Sequence, residues 1–128
     1  MYLLCGQFDK NASYIPKHKN KDDLLYKIFA FIEENFNENC SLEKLSQKIG
    51  YNYSYISRFF KKTVGISFNK YLINYRLSHA CYLLYNTQTS ILNCALESGF
   101  DSIRTFNRNF KLLYGITPEE YRNQNKKM

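Results

Sequence analysis

The sequence predicts an all-α fold: seven helices forming two helix-turn-helix units joined by a long linker helix. Three observations carry this prediction. Apolar residues recur at spacings of three and four along most of the 128-residue chain, and nothing alternates with period two. Gly50, Gly65, Gly99 and Gly115 each fall where such a stretch stops, as helix-ending glycines do. The second half of the chain also repeats the first at an offset of about 50 residues.

Residues 1–21 hold Gly6, Pro16 and the run Lys17-His18-Lys19-Asn20-Lys21, and read as a linker or N-terminal arm. Residues 22–128 hold the helices. Patterning starts at Asp22: Leu24, Leu25, Ile28, Phe31, Ile32 and Phe36 make one apolar face, with Asp22 and Asp23 at the positive helix end. Ser41 suits the N-cap of a second helix that buries Leu42, Leu45 and Ile49 and stops at Gly50. A third helix, about 52–64, turns Ile56, Phe59, Phe60 and Val64 inward and ends at Gly65, which closes a first unit of about 41–65. Ser67 caps a linker helix, about 67–84, with the stripe Phe68, Tyr71, Leu72, Tyr75, Ala80, Leu83 and Leu84. A second unit, about 90–115, consists of a helix to Ser98 and another over about 102–114 that turns Phe106, Phe110 and Leu113 inward. Thr117-Pro118-Glu119-Glu120 opens a last helix, about 117–125: a Thr cap, Pro at the first position and Glu three residues after the cap.

The repeat sets Arg58-Phe59-Phe60-Lys61 over Arg108-Asn109-Phe110-Lys111 at an offset of 50, which also pairs Gly65 with Gly115 and Ile56 with Phe106. Upstream the offset is 49, pairing Leu42 with Ile91, Gly50 with Gly99 and Tyr51 with Phe100; Asp101 is the extra residue. Each half is a short helix, a Gly-aromatic turn and a basic helix, the layout of a helix-turn-helix.

A net charge of +7 suggests a polyanionic partner without naming it. Its distribution says more. Residues 21–40 sum to −3 and residues 41–122 to +6. Residues 53–76 hold Arg58, Lys61, Lys62, Lys70 and Arg76 with no acid, and residues 102–115 hold Arg104, Arg108 and Lys111, again with no acid. Opposite the apolar stripes lie Ser54, Ser57, Arg58 and Lys61 in one half, and Arg104, Asn107, Arg108 and Lys111 in the other. An exposed polar face is the ordinary outside of any amphipathic helix. Two such faces, at matched positions behind matched turns, point to nucleic acid. Arg suits guanine edges and Asn suits adenine edges in a major groove. A linker helix of about 18 residues spans about 27 Å, close to the roughly 34 Å between successive grooves on one side of B-DNA. One chain is therefore expected to read an asymmetric duplex site.

The other chemistry-bearing residues read as structural. Cys5, Cys40, Cys81 and Cys94 contain no close pair, so neither a zinc site nor any other metal site is expected, and no cofactor is implied. Cys81 and Cys94 sit at core-like positions, and no cysteine has the basic helix-start surroundings of an activated nucleophile. Glu119-Glu120 is a cap rather than a catalytic pair. Arg76, on the linker helix, is expected to pack or pair within the fold. Most of the twelve tyrosines fall on apolar stripes; Tyr53 and Tyr55 do not. No catalytic constellation, membrane span or signal peptide is legible, and the expected compartment is the cytoplasm. An acid-binding protein-interaction bundle is the competing function.

These residues together resemble the DNA-binding domain of AraC/XylS-type bacterial transcription regulators, from about Asp22 to Arg122. The resemblance rests on Leu42-Glu43-Lys44-Leu45, Gly50-Tyr51, Ser57-Arg58-Phe59-Phe60-Lys61-Lys62, Gly65-Ile66-Ser67, Tyr71-Leu72, Arg76-Leu77, Gly99-Phe100-Asp101, Phe110-Lys111, Gly115-Ile116-Thr117-Pro118 and Tyr121-Arg122. It implies a sequence-specific transcription regulator, an activator, with duplex promoter DNA and RNA polymerase as partners. By matched position, Ser54, Ser57, Arg58, Ile103, Arg104, Asn107 and Arg108 would meet base edges, Ile103 by touching a thymine methyl. Asn52, Tyr53, Lys61, Lys62, Ser102 and Lys111 would meet phosphates. Ser46 stands where the family has a small apolar Ala, and its hydroxyl is expected to return to the helix backbone. Asn52 replaces the usual Ser as a cap. Ser54 and Ser57 are short, so the first unit is expected to read fewer bases directly than the second. Many such regulators carry a ligand-sensing domain. Here about 20 residues precede the module, so that domain is expected to be absent or removed.

Overall fold

The computed structural model describes residues 19–126, and among them the chain is all helix and turn. The helices are α1 (Lys19–Asn35), α2 (Leu42–Ile49), α3 (Tyr53–Val64), α4 (Phe68–Asn86), α5 (Ile91–Glu97), α6 (Ile103–Tyr114) and α7 (Pro118–Lys126). Two compact units emerge. One joins the described residues up to Phe36 with Cys40–Tyr71; the other joins Asn37–Asn39 with Leu72 onward.

In the first unit, apolar spacing decides which helix faces turn inward. Leu24, Ile28, Phe31 and Ile32 of α1, Leu42 and Leu45 of α2, Ile56 and Phe60 of α3, and Phe68 of α4 are buried. Phe60 is the centre of the ring packing. Phe29, Phe68 and Tyr71 meet it edge-on, with centroids 6.0, 5.8 and 5.5 Å away. Such T-shaped pairs add about 0.5–1.5 kcal/mol each beyond burial. Ile49, Phe59 and Val64 are only half-buried, at the rim of this core.

The second unit buries Leu77, Ala80, Leu83, Leu84, Cys94, Ala95, Phe100, Phe106 and Phe110 in one cluster. Phe110 sits 5.7 Å from Phe106, 4.7 Å from Tyr114 and 5.8 Å from Tyr121. Leu113 corrects the sequence reading: it is 45% exposed. Tyr114 takes the position against Phe110 and reaches Ser78 and Cys81, leaving Leu113 on the outer side of the last turn.

Local chemistry starts and stops these helices. Ser41 Oγ accepts from Lys44 N at 3.2 Å, and Ser67 Oγ from Lys70 N at 3.1 Å. Ser46 Oγ donates to Glu43 O at 2.8 Å, so its hydroxyl does fold back onto the helix. At α7 the capping box closes in both directions: Glu120 N donates to Thr117 Oγ1 at 3.1 Å, and Thr117 N to Glu120 Oε1 at 3.0 Å. α1 begins three residues earlier than Asp22, which leaves Asp22 within its first turn. α4 runs two residues beyond Leu84, where Thr87 N and Thr87 Oγ1 both bond to Leu83 O.

One anchor falls on a residue of the family motif whose contacts sequence spacing does not give. Arg122 of α7 donates from Nε to Leu84 O and from Nη2 to Thr87 O, both at 3.1 Å, and its Nη2 lies 3.8 Å from Cys94 Sγ. Carbonyls at a helix C-terminus lack intrahelical donors. The guanidinium supplies them at the end of α4 and ties α7 to it.

Candidate nucleic-acid interface

Matched caps position α3 and α6. Asn52 Oδ1 accepts from Tyr55 N at 3.1 Å; Ser102 Oγ accepts from Thr105 N at 3.2 Å. Both helices run twelve residues and close on a left-handed glycine, Gly65 at φ 101° and Gly115 at φ 85°, whose N–H bonds to Lys61 O or Lys111 O. A β-carbon at either glycine would meet no other atom within 4 Å, so the requirement for glycine is the backbone angle alone. Ile56 and Phe60, like Phe106 and Phe110, are fully buried on the inner side. Each helix is thereby held at both ends and along one stripe.

The opposite stripes face outward. Ser54, Arg58, Lys61 and Lys62 of α3 are exposed, and Ser57 is half-buried. Ile103, Arg104, Asn107, Arg108 and Lys111 of α6 are all exposed. Among the described residues, none of these cations has a carboxylate within ion-pair distance; the pair that does form, Asp23 with Lys27 at 3.4 Å, lies on α1. The two amides of α6 differ. Asn109 Nδ2 donates to Thr105 O at 3.0 Å, whereas Asn107 is free of hydrogen bonds among the described residues. At the helix starts, Asn52 spends its oxygen on the cap and keeps its amide N–H groups. The Ser102 hydroxyl also donates to Thr105 Oγ1 at 3.2 Å, so its proton is engaged. The exposed Tyr53 begins α3.

One feature of the first unit went unread in the sequence. Tyr51, Tyr55 and Phe59 stack along one flank of α3, with centroid separations of 5.9 and 6.1 Å and interplanar angles of 16° and 17°. The i, i+4 spacing was the available signal. In the second unit the turn aromatic, Phe100, is buried instead, 5.3 Å from Phe106.

The titratable groups Cys81, Cys94, Tyr114 and Tyr121, whose pKa values are shifted, lie in the second unit. Burial pushes the Cys81 and Cys94 thiols up, keeping them protonated, although Tyr114 and Tyr121 oppose the shift at Cys81 and Arg122 opposes it at Cys94. Burial also pushes the Tyr114 and Tyr121 phenols up. Arg76 Nη2 donates to Glu38 O at 3.0 Å, so this guanidinium works within the fold. Among the described residues no cluster of His, Cys, Asp and Glu is arranged to hold a metal ion, and no helix is long and apolar enough to cross a membrane. Cys5, His18 and the Lys17–Lys21 run fall outside the described residues in whole or in part.

Two matched helix-turn-helix units, each presenting a free basic face, define a class of nucleic-acid-binding domain. A family model described as a helix-turn-helix domain matches residues 45–124. An HTH-type transcriptional regulator of Staphylococcus aureus (strain COL) is 35% identical over 115 residues, covering 85% of this chain and 15% of the relative. The chain thus spans about a seventh of that relative's length. An AraC-type transcriptional regulator from Chromobacterium violaceum superposes with a TM-score of 0.76 at 29% identity, covering 84% of this chain and 96% of that one. The C-terminal domain of the two-component response regulator yesN from Fusobacterium nucleatum gives 0.71 at 36% identity, covering 74% and 93%. The chain belongs to the AraC-type helix-turn-helix family of DNA-binding transcription regulators.

Proposed function

We propose that this chain recognises an asymmetric duplex promoter site as a single chain, with α3 and α6 in successive major grooves. It raises transcription there through contact with RNA polymerase, in the cytoplasm. The observation that carries the DNA-reading part is the pair of matched outward faces whose cations and amide have no side-chain partner among the described residues. Ser54, Ser57, Arg58, Ile103, Arg104, Asn107 and Arg108 take base edges; Asn52, Tyr53, Lys61, Lys62, Ser102 and Lys111 take phosphates. Asn52 serves through its amide N–H groups, and Ser102 after releasing Thr105. Support for two reading helices comes from the repeat, which gives each unit its own capped helix with an outward polar face. The upward effect on transcription rests on the family resemblance rather than on these faces.

The test is selection of bound duplexes from a random pool, followed by footprinting of the selected site. Arg58→Ala and Arg108→Ala should each weaken specific binding by about 1–3 kcal/mol. Unchanged footprints for both variants would remove the site assignment. No duplex protection at moderate salt would favour an acidic protein partner. A fall in transcript from a reconstituted promoter would replace activation with repression.

A further inference from the structure

We infer that the two halves of the DNA site are read unequally. The box under α6 holds three base pairs discriminated by hydrogen bonds, two G·C and one A·T, beside the thymine methyl assigned to Ile103. The box under α3 carries one discriminated base, with its other positions tolerated. This rests on the duplex-binding reading above and adds which half of the site holds the sequence information.

The frames of the two helices are equivalent, so the comparison reduces to side chains. Caps, closing glycines and buried anchors match at an offset of 50. The side chains at 54, 57, 58 and 61 therefore leave α3 at the helical angles at which those at 104, 107, 108 and 111 leave α6. In α6 these positions hold Arg104, Asn107, Arg108 and Lys111; in α3 they hold Ser54, Ser57, Arg58 and Lys61. Among these four pairs only 54/104 and 57/107 differ; the neighbouring pair 53/103 sets Tyr53 against Ile103. Arg offers a bidentate donor fork to guanine and Asn a donor–acceptor pair to adenine, so each excludes other bases. A serine hydroxyl both donates and accepts, and so accepts several bases. Ser57 is also half-buried, which shortens its reach further.

Charge leans the other way. The last turn of α3 holds Lys61 and Lys62, both exposed, whereas that of α6 holds Lys111 followed by Leu112, 77% exposed. The aromatic flank of Tyr51, Tyr55 and Phe59 gives α3 apolar contact area with no base-specific donor pattern. The first unit thus supplies salt-sensitive adhesion, and the second supplies discrimination.

The experiment is selection from random duplexes with the full chain, the variant Ser54→Arg/Ser57→Asn, and the converse variant Arg104→Ser/Asn107→Ser. These positions are exposed or half-buried and make no hydrogen bond among the described residues, and helicity measured by circular dichroism checks the fold. The wild type should enrich one box strongly constrained at three positions, two G·C pairs and an A·T pair, with a weaker thymine preference under Ile103, beside a box constrained at one. A mismatch in the first box should cost about ten- to a hundredfold per base, and in the second about threefold or less outside the Arg58 contact. Ser54→Arg/Ser57→Asn should create a second copy of the constrained box, and the converse variant should relax the existing one. Two equally constrained boxes, or a constrained box that relaxes under Arg58→Ala rather than Arg108→Ala, would overturn the inference and leave duplex binding intact. Failure to enrich any duplex would overturn both.

Discussion

α3 and α6 are built to one plan and finished differently. Both start on a side-chain cap at 3.1 or 3.2 Å, bury two large residues and close on a left-handed glycine. Yet one presents serines beside a stacked aromatic flank, and the other two guanidiniums and a free amide. The difference teaches that the scaffold and the outward faces are written in separate positions. Inward and cap positions carry the match between the halves, and outward positions carry the divergence.

The largest expected effect checks the shared plan. Phe60→Ala and Phe110→Ala remove counterpart rings that are fully buried, and each should destabilise its unit by about 3–5 kcal/mol. Urea titration followed by circular dichroism measures this. A cost near zero at either position would break the equivalence of the two cores.

Arg122 is where the second unit departs from the repeat. Arg122→Ala strands the Leu84 and Thr87 carbonyls and should cost about 1.5–3 kcal/mol, also read by urea titration. Arg122→Lys should recover less than half, because an ammonium cannot reproduce the planar fork.

Positions 62 and 112 test the charge imbalance. Lys62→Leu should reduce the magnitude of the log–log salt slope of duplex binding by about 0.9, and Leu112→Lys should raise it by a similar amount. Mobility shifts across a salt series measure both. Equal slopes for wild type and variants would place neither residue beside a phosphate.

A smaller effect concerns the second turn. Ser98 is fully buried and its hydroxyl has no partner among the described residues. It stands where the first unit has Ile49. Ser98→Ala should leave stability unchanged or raise it by up to about 1 kcal/mol in thermal melts.

The smallest effect is a pH dependence confined to the second unit. Burial holds the His79 imidazole below its usual pKa of 6.5, against the opposing pull of Glu97. The unfolded chain therefore binds the proton first, so stability is full above pH 6.5 and declines as pH falls through the window beneath it. His79→Gln should flatten that decline in melts recorded from about pH 7.5 to 5.

Much of this was legible because it is local. Asn52, Ser67 and Thr117 cap through bonds spanning three residues, and a left-handed glycine needs no distant partner. Exposure of the outward faces of α3 and α6 followed from helical periodicity. What escaped depends on neighbours distant in sequence. Leu113 fits an inward spacing, but Tyr114 occupies the contact with Phe110. Arg122 acts on carbonyls, which every residue carries and no sequence pattern marks. Arg76 behaves similarly with Glu38 O. The Tyr51–Tyr55–Phe59 stack was missed because Phe59 reads as a core residue, while its ring lies on the rim.

The matched caps have a consequence for how a family of such chains diversifies. Since Asn52 and Ser102 fix their helices through their own caps, substitutions at 54, 57, 104 or 107 alter the outward faces and spare caps and buried anchors; on the proposed reading each is one step from a new binding preference. On that reading, a duplicated gene starting from this chain would drift to another promoter by altering one half while the other keeps its hold. Its neutral neighbourhood and its route to a new target are then the same few codons.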